Sequence, residues 1–234
     1  MPIQSRTRSA LLSGLLVGLL TASGAVYAED APAPAAPAAP AAGPTQVRVT
    51  TNMGEFVIEV RADRAPLTAA NFLRYVREGF YNGTLFHRVV ANFVIQGGGF
   101  DATTEKVKPT HESIFNESGN GLQNKRGAVG MARSDPPHSG NSQFFVDLVD
   151  NPDLDPVPTR WGYTVFGRIV QGMDVIEHIG ETPTGSQGPF KADAPLKPVI
   201  IQKVEIIGAS AAAAPAAATP VTPTRQDDTI LSPK

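Results

Sequence analysis

The chain has 234 residues, 41% hydrophobic and 18% charged, which is enough for one domain with a real core and excludes wholesale disorder. A formal net charge of −2 offers no electrostatic footprint for nucleic acid or an anionic membrane. No cysteine is present, which excludes disulfides, thiolate catalysis and cysteine-based metal sites.

The N-terminus reads as a targeting segment. Arg6 and Arg8 precede an apolar run from Ala10 to Leu20, and small residues then lead to Val26-Tyr27-Ala28. This order of charge, apolar run and small-residue site matches a secretory signal peptide over residues 1–28, cleaved after Ala28. An uncleaved anchor is the alternative, because Ala10 to Ala28 carries no charge and is barely long enough to span. The glycines and serines within it favour cleavage, so the expectation is export to the periplasm. Residues 29–45 follow as an Ala/Pro-rich linker that can bury nothing and reads as a semi-rigid spacer. The expected folded domain runs over residues 46–208, and residues 209–234 form an Ala/Pro/Thr-rich tail expected to be disordered.

Within the domain, Val47 and Val49 alternate, then Phe56, Ile58 and Val60 do, with Asn52-Met53-Gly54 between them. That pattern predicts a hairpin of two strands. The period then changes: Pro66 suits a first helical position, Ala69, Phe72, Leu73 and Val76 fall at helical spacing, and Gly79 can stop the helix. The runs "GAVGMA", "SQFFVDLV", "YTVFGRIV" and "PVIIQKVEII" read as strands, and "GMDVIEHI" before Gly180 as a second helix. Many short strands with two helices predict a mainly β fold, an antiparallel barrel capped by helices.

The stretch "FHRVVANFVIQGGGF", Phe86 to Phe100, sets His87, Arg88 and Gln96 inside an apolar run. With "GAVGMARSDPPHSGNSQFFV" and "GYTVFGRIVQGMDVIEHI" it resembles the three signature blocks of the cyclophilin-type peptidyl-prolyl cis/trans isomerases. The blocks occur in the family's order and spacing. Short loops and the N-terminal segment are most similar to the periplasmic bacterial branch. The resemblance implies a closed eight-stranded antiparallel barrel, two capping helices and a proline pocket on the outer face. It implies Arg88 as the catalytic arginine, Phe93 as a wall of the socket and Gln96 as a backbone anchor. It places Ala132, Arg133 and Ser134 on the segment that pairs with substrate backbone. Val94, Gln143, Phe145, Leu154 and Tyr163 match further pocket positions, and His87 matches a supporting histidine.

Four positions depart from the family's better-known eukaryotic pattern. Asp153 stands where a large aromatic is usual, Arg133 where asparagine is frequent, Val94 where methionine is, and Tyr163 where histidine is. These changes bear on inhibitor and substrate preference, cyclosporin binding above all, and Trp161 is the nearest aromatic that could fill the gap at Asp153.

Other chemistries lack their residues. "GGGF" is followed by no Lys-Ser/Thr pair, the Asp147–Asp155 carboxylates lack the glycine and glutamate of a calcium loop, and "HSGNSQ" is not a hydrolase elbow. The four histidines show no metal-ligand spacing, so neither metal nor cofactor is expected. The expected partners are proline-containing unfolded or newly exported polypeptides, met by a monomer, with no nucleic acid and no membrane after signal cleavage. A binding module or chaperone holding proline segments in the same groove is the alternative. Arg88 argues against it, because proline binding alone needs a socket and no guanidinium.

Overall fold

The computed structural model describes residues 45–207. The expected signal peptide, the linker up to residue 44 and the tail lie outside the described residues. In chain order the elements are β1 (Thr45–Thr51), β2 (Gly54–Val60), α1 (Pro66–Arg77), β3 (Thr84–Leu85), β4 (Arg88–Val90) and β5 (Val94–Gly97). They continue with β6 (Ala128–Met131), β7 (Phe144–Asp147), a 3-10 turn (Pro152–Leu154), β8 (Val165–Gln171) and α2 (Met173–Gly180). The last three are β9 (Thr184–Gln187), β10 (Phe190–Pro195) and β11 (Ile200–Ile207).

The alternation in β1 works as expected: Val47 and Val49 are fully buried, while Gln46 and Arg48 between them are only partly covered. Helix α1 turns Ala69, Phe72, Leu73 and Val76 into the core, with Thr68, Asn71 and Tyr75 buried on its flanks. Its start has no capping side chain of its own. Instead the Glu117 carboxylate, far along the chain, accepts from Leu67 N–H (3.0 Å), Thr68 N–H (2.8 Å) and the Thr68 hydroxyl (2.7 Å). A negative charge there meets the exposed amides and the positive end of the helix together. The helix stops as Gly79 takes a φ of 67°. Gly79 N–H then reaches Val76 O at 3.1 Å and Phe80 N–H reaches Tyr75 O at 3.0 Å, the paired closure that a left-handed residue permits.

Nine antiparallel strands form one curled sheet in the order β3-β11-β1-β2-β8-β6-β7-β5-β4. The closed eight-stranded barrel expected from the sequence is therefore corrected to a nine-stranded half-barrel. The two edges, β3 and β4, are two and three residues long and lie in one stretch of chain, joined by Phe86-His87. No ladder joins them; single bonds instead tie β3 to the chain leaving β5, the neighbour of β4, through Leu85 N–H to Phe100 O (2.9 Å) and Gly98 N–H to Leu85 O (3.2 Å), while Phe86 N–H to Val199 O (2.9 Å) extends the β3–β11 pairing. A separate β9–β10 hairpin, unforeseen in the sequence, packs beside β4.

The concave face holds an aromatic core. Phe72 lies 5.3 Å from Tyr81, 5.7 Å from Phe144 and 5.0 Å from Phe166, ring centre to ring centre. All four are fully buried. Helix α2 adds Ile176 and Ile179 to the same core.

Candidate active site

A second, smaller apolar cluster stands apart from this core. It consists of buried Val94, Ala132, Phe145 and Tyr163, with half-buried Phe93 and Leu154 packed against them. The period of two explains its separation: Phe144 points into the core, so its neighbour Phe145 points the other way. Tyr163 meets Phe145 edge-on at 5.8 Å between ring centres, and burial raises the Tyr163 phenol above its ordinary value.

Strand register draws the polar residues to the same face. Arg88 on β4 pairs with Gln96 on β5, Gln96 with Phe145 on β7, and Phe145 with Gly130 on β6. The four form one row across the sheet. Gly130 is required there because a Cβ would lie 2.1 Å from Cζ of Phe145, so the ring rests where a side chain would stand. Gln96 donates through Nε2 to Gln143 Oε1 at 3.1 Å, which fixes both amides at the rim.

Arg88 is 9% exposed. Its Cζ lies 6.0 Å from the Phe93 ring centre, and its Nη1 has no hydrogen-bond partner among the described residues. A buried, unanswered donor beside an apolar socket is costly unless something occupies the socket.

Phe93 itself is held from below. The Asn151 amide donates to Phe93 O at 3.1 Å and to Asp147 Oδ1 at 2.7 Å, and Leu148 N–H also reaches Phe93 O at 2.9 Å. Asp147 is completely buried, and burial raises its carboxyl to about 7, against the lowering effect of the Asn151 bond. Neither Asn151 nor Gly130 stood out in the sequence, since one reads as a turn residue and the other as an ordinary strand glycine.

The remaining expected site residues divide. On the segment after β6, Ala132 N–H bonds to Gln143 O at 3.0 Å and Ser134 N–H to Ser139 Oγ at 3.0 Å. Both amides are thus already engaged. The Arg133 guanidinium lies 4.5 Å above the Tyr163 ring and donates to Gly162 O, Ser134 O, Asp135 O and Trp161 O. It staples two loops together and backs Tyr163.

His87 is not brought to the pocket. It is 4% exposed and packs against Phe100 (4.5 Å) and Phe190 (5.6 Å), and burial, aided by the Arg88 charge, lowers its imidazole to about 3. Asp153 is exposed on the 3-10 turn. Trp161 does not fill its place beside the cluster; it stands half-exposed against His138, ring centres 5.2 Å apart.

Comparison with known proteins identifies the family. Residues 46–206 match the family model of the cyclophilin type peptidyl-prolyl cis-trans isomerases. The chain belongs to that family. It is 47% identical over 162 residues to a peptidyl-prolyl cis-trans isomerase of Acinetobacter baylyi, covering 69% of this chain and 85% of that protein. Against peptidyl-prolyl cis-trans isomerase B of Escherichia coli it is 48% identical over 159 residues, covering 67% of this chain and 96% of the other. A crystal structure of a cyclophilin from Cryptosporidium parvum superposes with a TM-score of 0.60 at 27% identity, covering 71% of this chain and 99% of that one. The same protein has been solved in the presence of the dipeptide Ala-Pro. This cyclophilin is thus an enzyme of X-Pro isomerisation, and the matched residues 46–206 take in nearly all of the described ones.

Proposed function

We propose that the outer-face cluster is where this cyclophilin rotates X-Pro bonds, and that its substrates are proline-containing segments of newly exported polypeptides. Rotation about the peptide bond faces a barrier of roughly 18–20 kcal/mol because of amide resonance. At the twisted transition state the nitrogen lone pair is no longer delocalised and accepts a hydrogen bond better than in either planar state. Shortening a step of tens of seconds to milliseconds needs ~10⁴-fold, or about 5.5 kcal/mol of preferential transition-state binding.

The reaction asks for no nucleophile and no proton transfer. It asks for a socket, a donor and anchors. Phe93, Val94, Phe145, Leu154 and Tyr163 supply an apolar wall for the proline ring. Arg88 supplies a charged donor in a water-poor setting, where such a bond is strongest. Arginine suits the role because it stays charged and presents a rigid fork. Gln96, steadied by Gln143, and the backbone at Arg133, held between the engaged Ala132 and Ser134 amides, align the flanking peptide. The row that sets Arg88, Gln96 and Phe145 side by side over Gly130 is the observation that most supports this reading.

The test is Xaa-Pro peptide isomerisation by wild type and Arg88→Ala, with peptide affinity measured beside it. The variant should lose roughly 10²–10³ in rate, the scale of one oxyanion-type donor, while affinity stays within a few-fold. Parallel loss of rate and affinity refutes differential transition-state binding at Arg88. The export reading rests on residues 1–28 of the sequence and predicts a mature protein recovered from the periplasm that begins at Glu29. Full-length protein in the cytoplasm contradicts it.

A further inference from the structure

Among the described residues the Arg88 guanidinium has one charged partner, and it comes from outside the main sheet. The β9–β10 hairpin lies beside β4, and its register breaks between Phe190 and Ala194. Asp193 sits in that break with a φ of 58°, in the left-handed region that aspartate, asparagine and glycine tolerate best. Its Oδ2 lies 3.6 Å from Arg88 Nε, the two side chains being 44% and 11% exposed.

The hairpin is not loosely placed. Phe190 packs edge-on against Phe100 at 4.9 Å and against His87 at 5.6 Å, so the residue preceding Arg88 and the strand bearing Asp193 share one aromatic cluster. The bulge and the left-handed turn aim a carboxylate at one side of the guanidinium. Nη1 stays without a partner among the described residues.

We propose that Asp193 is a positioning residue for Arg88: its carboxylate holds the Nε edge so that the Nη donors are aimed at the pocket before substrate arrives. A long arginine side chain loses rotamer freedom when it is fixed, and fixing it in the free enzyme removes that loss from the transition state. The inference rests on the reading of Arg88 as the donor. Because Asp193 is half-exposed, solvent screening keeps the effect to a few-fold.

The experiment compares kcat and KM on an Xaa-Pro peptide for wild type, Asp193→Gly, Asp193→Asn, Arg88→Ala and the Arg88→Ala/Asp193→Gly double variant, with Tm measured for each. Glycine and asparagine both accept the positive φ, so the hairpin keeps its path while the charge is removed. Asp193→Gly should lower kcat about three- to fivefold with KM and Tm unchanged. Asp193→Asn, which keeps the side chain's shape but not the charge of this 3.6 Å ion pair, should fall close to Asp193→Gly. In the Arg88→Ala background the Asp193→Gly penalty should vanish, because contacting residues are not additive. A wild-type kcat in Asp193→Gly alongside a slow Arg88→Ala overturns the positioning role alone, as does an equal loss in both backgrounds. A wild-type rate in Arg88→Ala overturns the donor reading and the inference together.

Discussion

Two buried titratable groups pull the pH dependence of stability in opposite directions, and removing either should expose the other. The His87 imidazole falls to about 3 in the fold, mainly through burial, against about 6.5 in an unfolded chain. Between those values the unfolded state binds the extra proton, so His87 makes stability fall as pH falls below about 6.5. The Asp147 carboxyl rises to about 7, again mainly through burial, against about 3.8 unfolded. Between those values the folded state holds the extra proton, so Asp147 makes stability rise as pH falls below about 7. At ~1.4 kcal/mol per pH unit per proton, each contributes about 2 kcal/mol between pH 7 and pH 5, with opposite sign. Their sum is close to zero, and wild-type stability should be nearly flat across that window. Asp147→Asn keeps the oxygen that accepts from Asn151 and removes the titration, so this variant should lose about 2 kcal/mol on going from pH 7 to pH 5. His87→Phe, which keeps an aromatic against Phe100 and Phe190, should gain about as much over the same range. Urea denaturation of the full chain at pH 7, 6 and 5 reads both. An Asp147→Asn profile parallel to wild type would refute the assignment of the buried proton to that carboxyl.

Three further substitutions probe the site and its scaffold. Gly130→Ala puts a Cβ 2.1 Å from the Phe145 ring, so the ring must leave the socket; peptide KM should rise about tenfold or more, with a stability cost of about 1–3 kcal/mol, and an unchanged KM in peptide kinetics would contradict the row described above. Glu117→Gln removes the charge at the start of α1 and should lower unfolding free energy by about 1 kcal/mol in urea titration, most visibly at low salt. Phe72→Ala opens a void among Tyr81, Phe144 and Phe166 and should cost about 3–5 kcal/mol by thermal unfolding, whereas a loss under about 1 kcal/mol would mean that the ring is not central to the core.

The sequence by itself determined the local structure. The alternation of Val47 and Val49, the helical spacing from Ala69 to Val76 and the glycine at 79 each encode a period or a backbone freedom within a few residues, and each appears in the fold. The three family blocks also carried the reaction class, and five of the six residues of the outer apolar cluster lie within them, Leu154 being the exception. Tertiary structure decided the rest. Whether Arg88, Gln96, Phe145 and Gly130 share a row depends on the register of four strands distant in sequence, and no local pattern carries register. The same pleat separates His87 from Arg88, although they are neighbours in the chain. The β9–β10 hairpin was invisible because it is largely exposed and so has no apolar alternation to announce it. Asp193 on that hairpin therefore meets Arg88 only once the chain has folded, because the contact is made by packing across the molecule and not by anything adjacent in sequence.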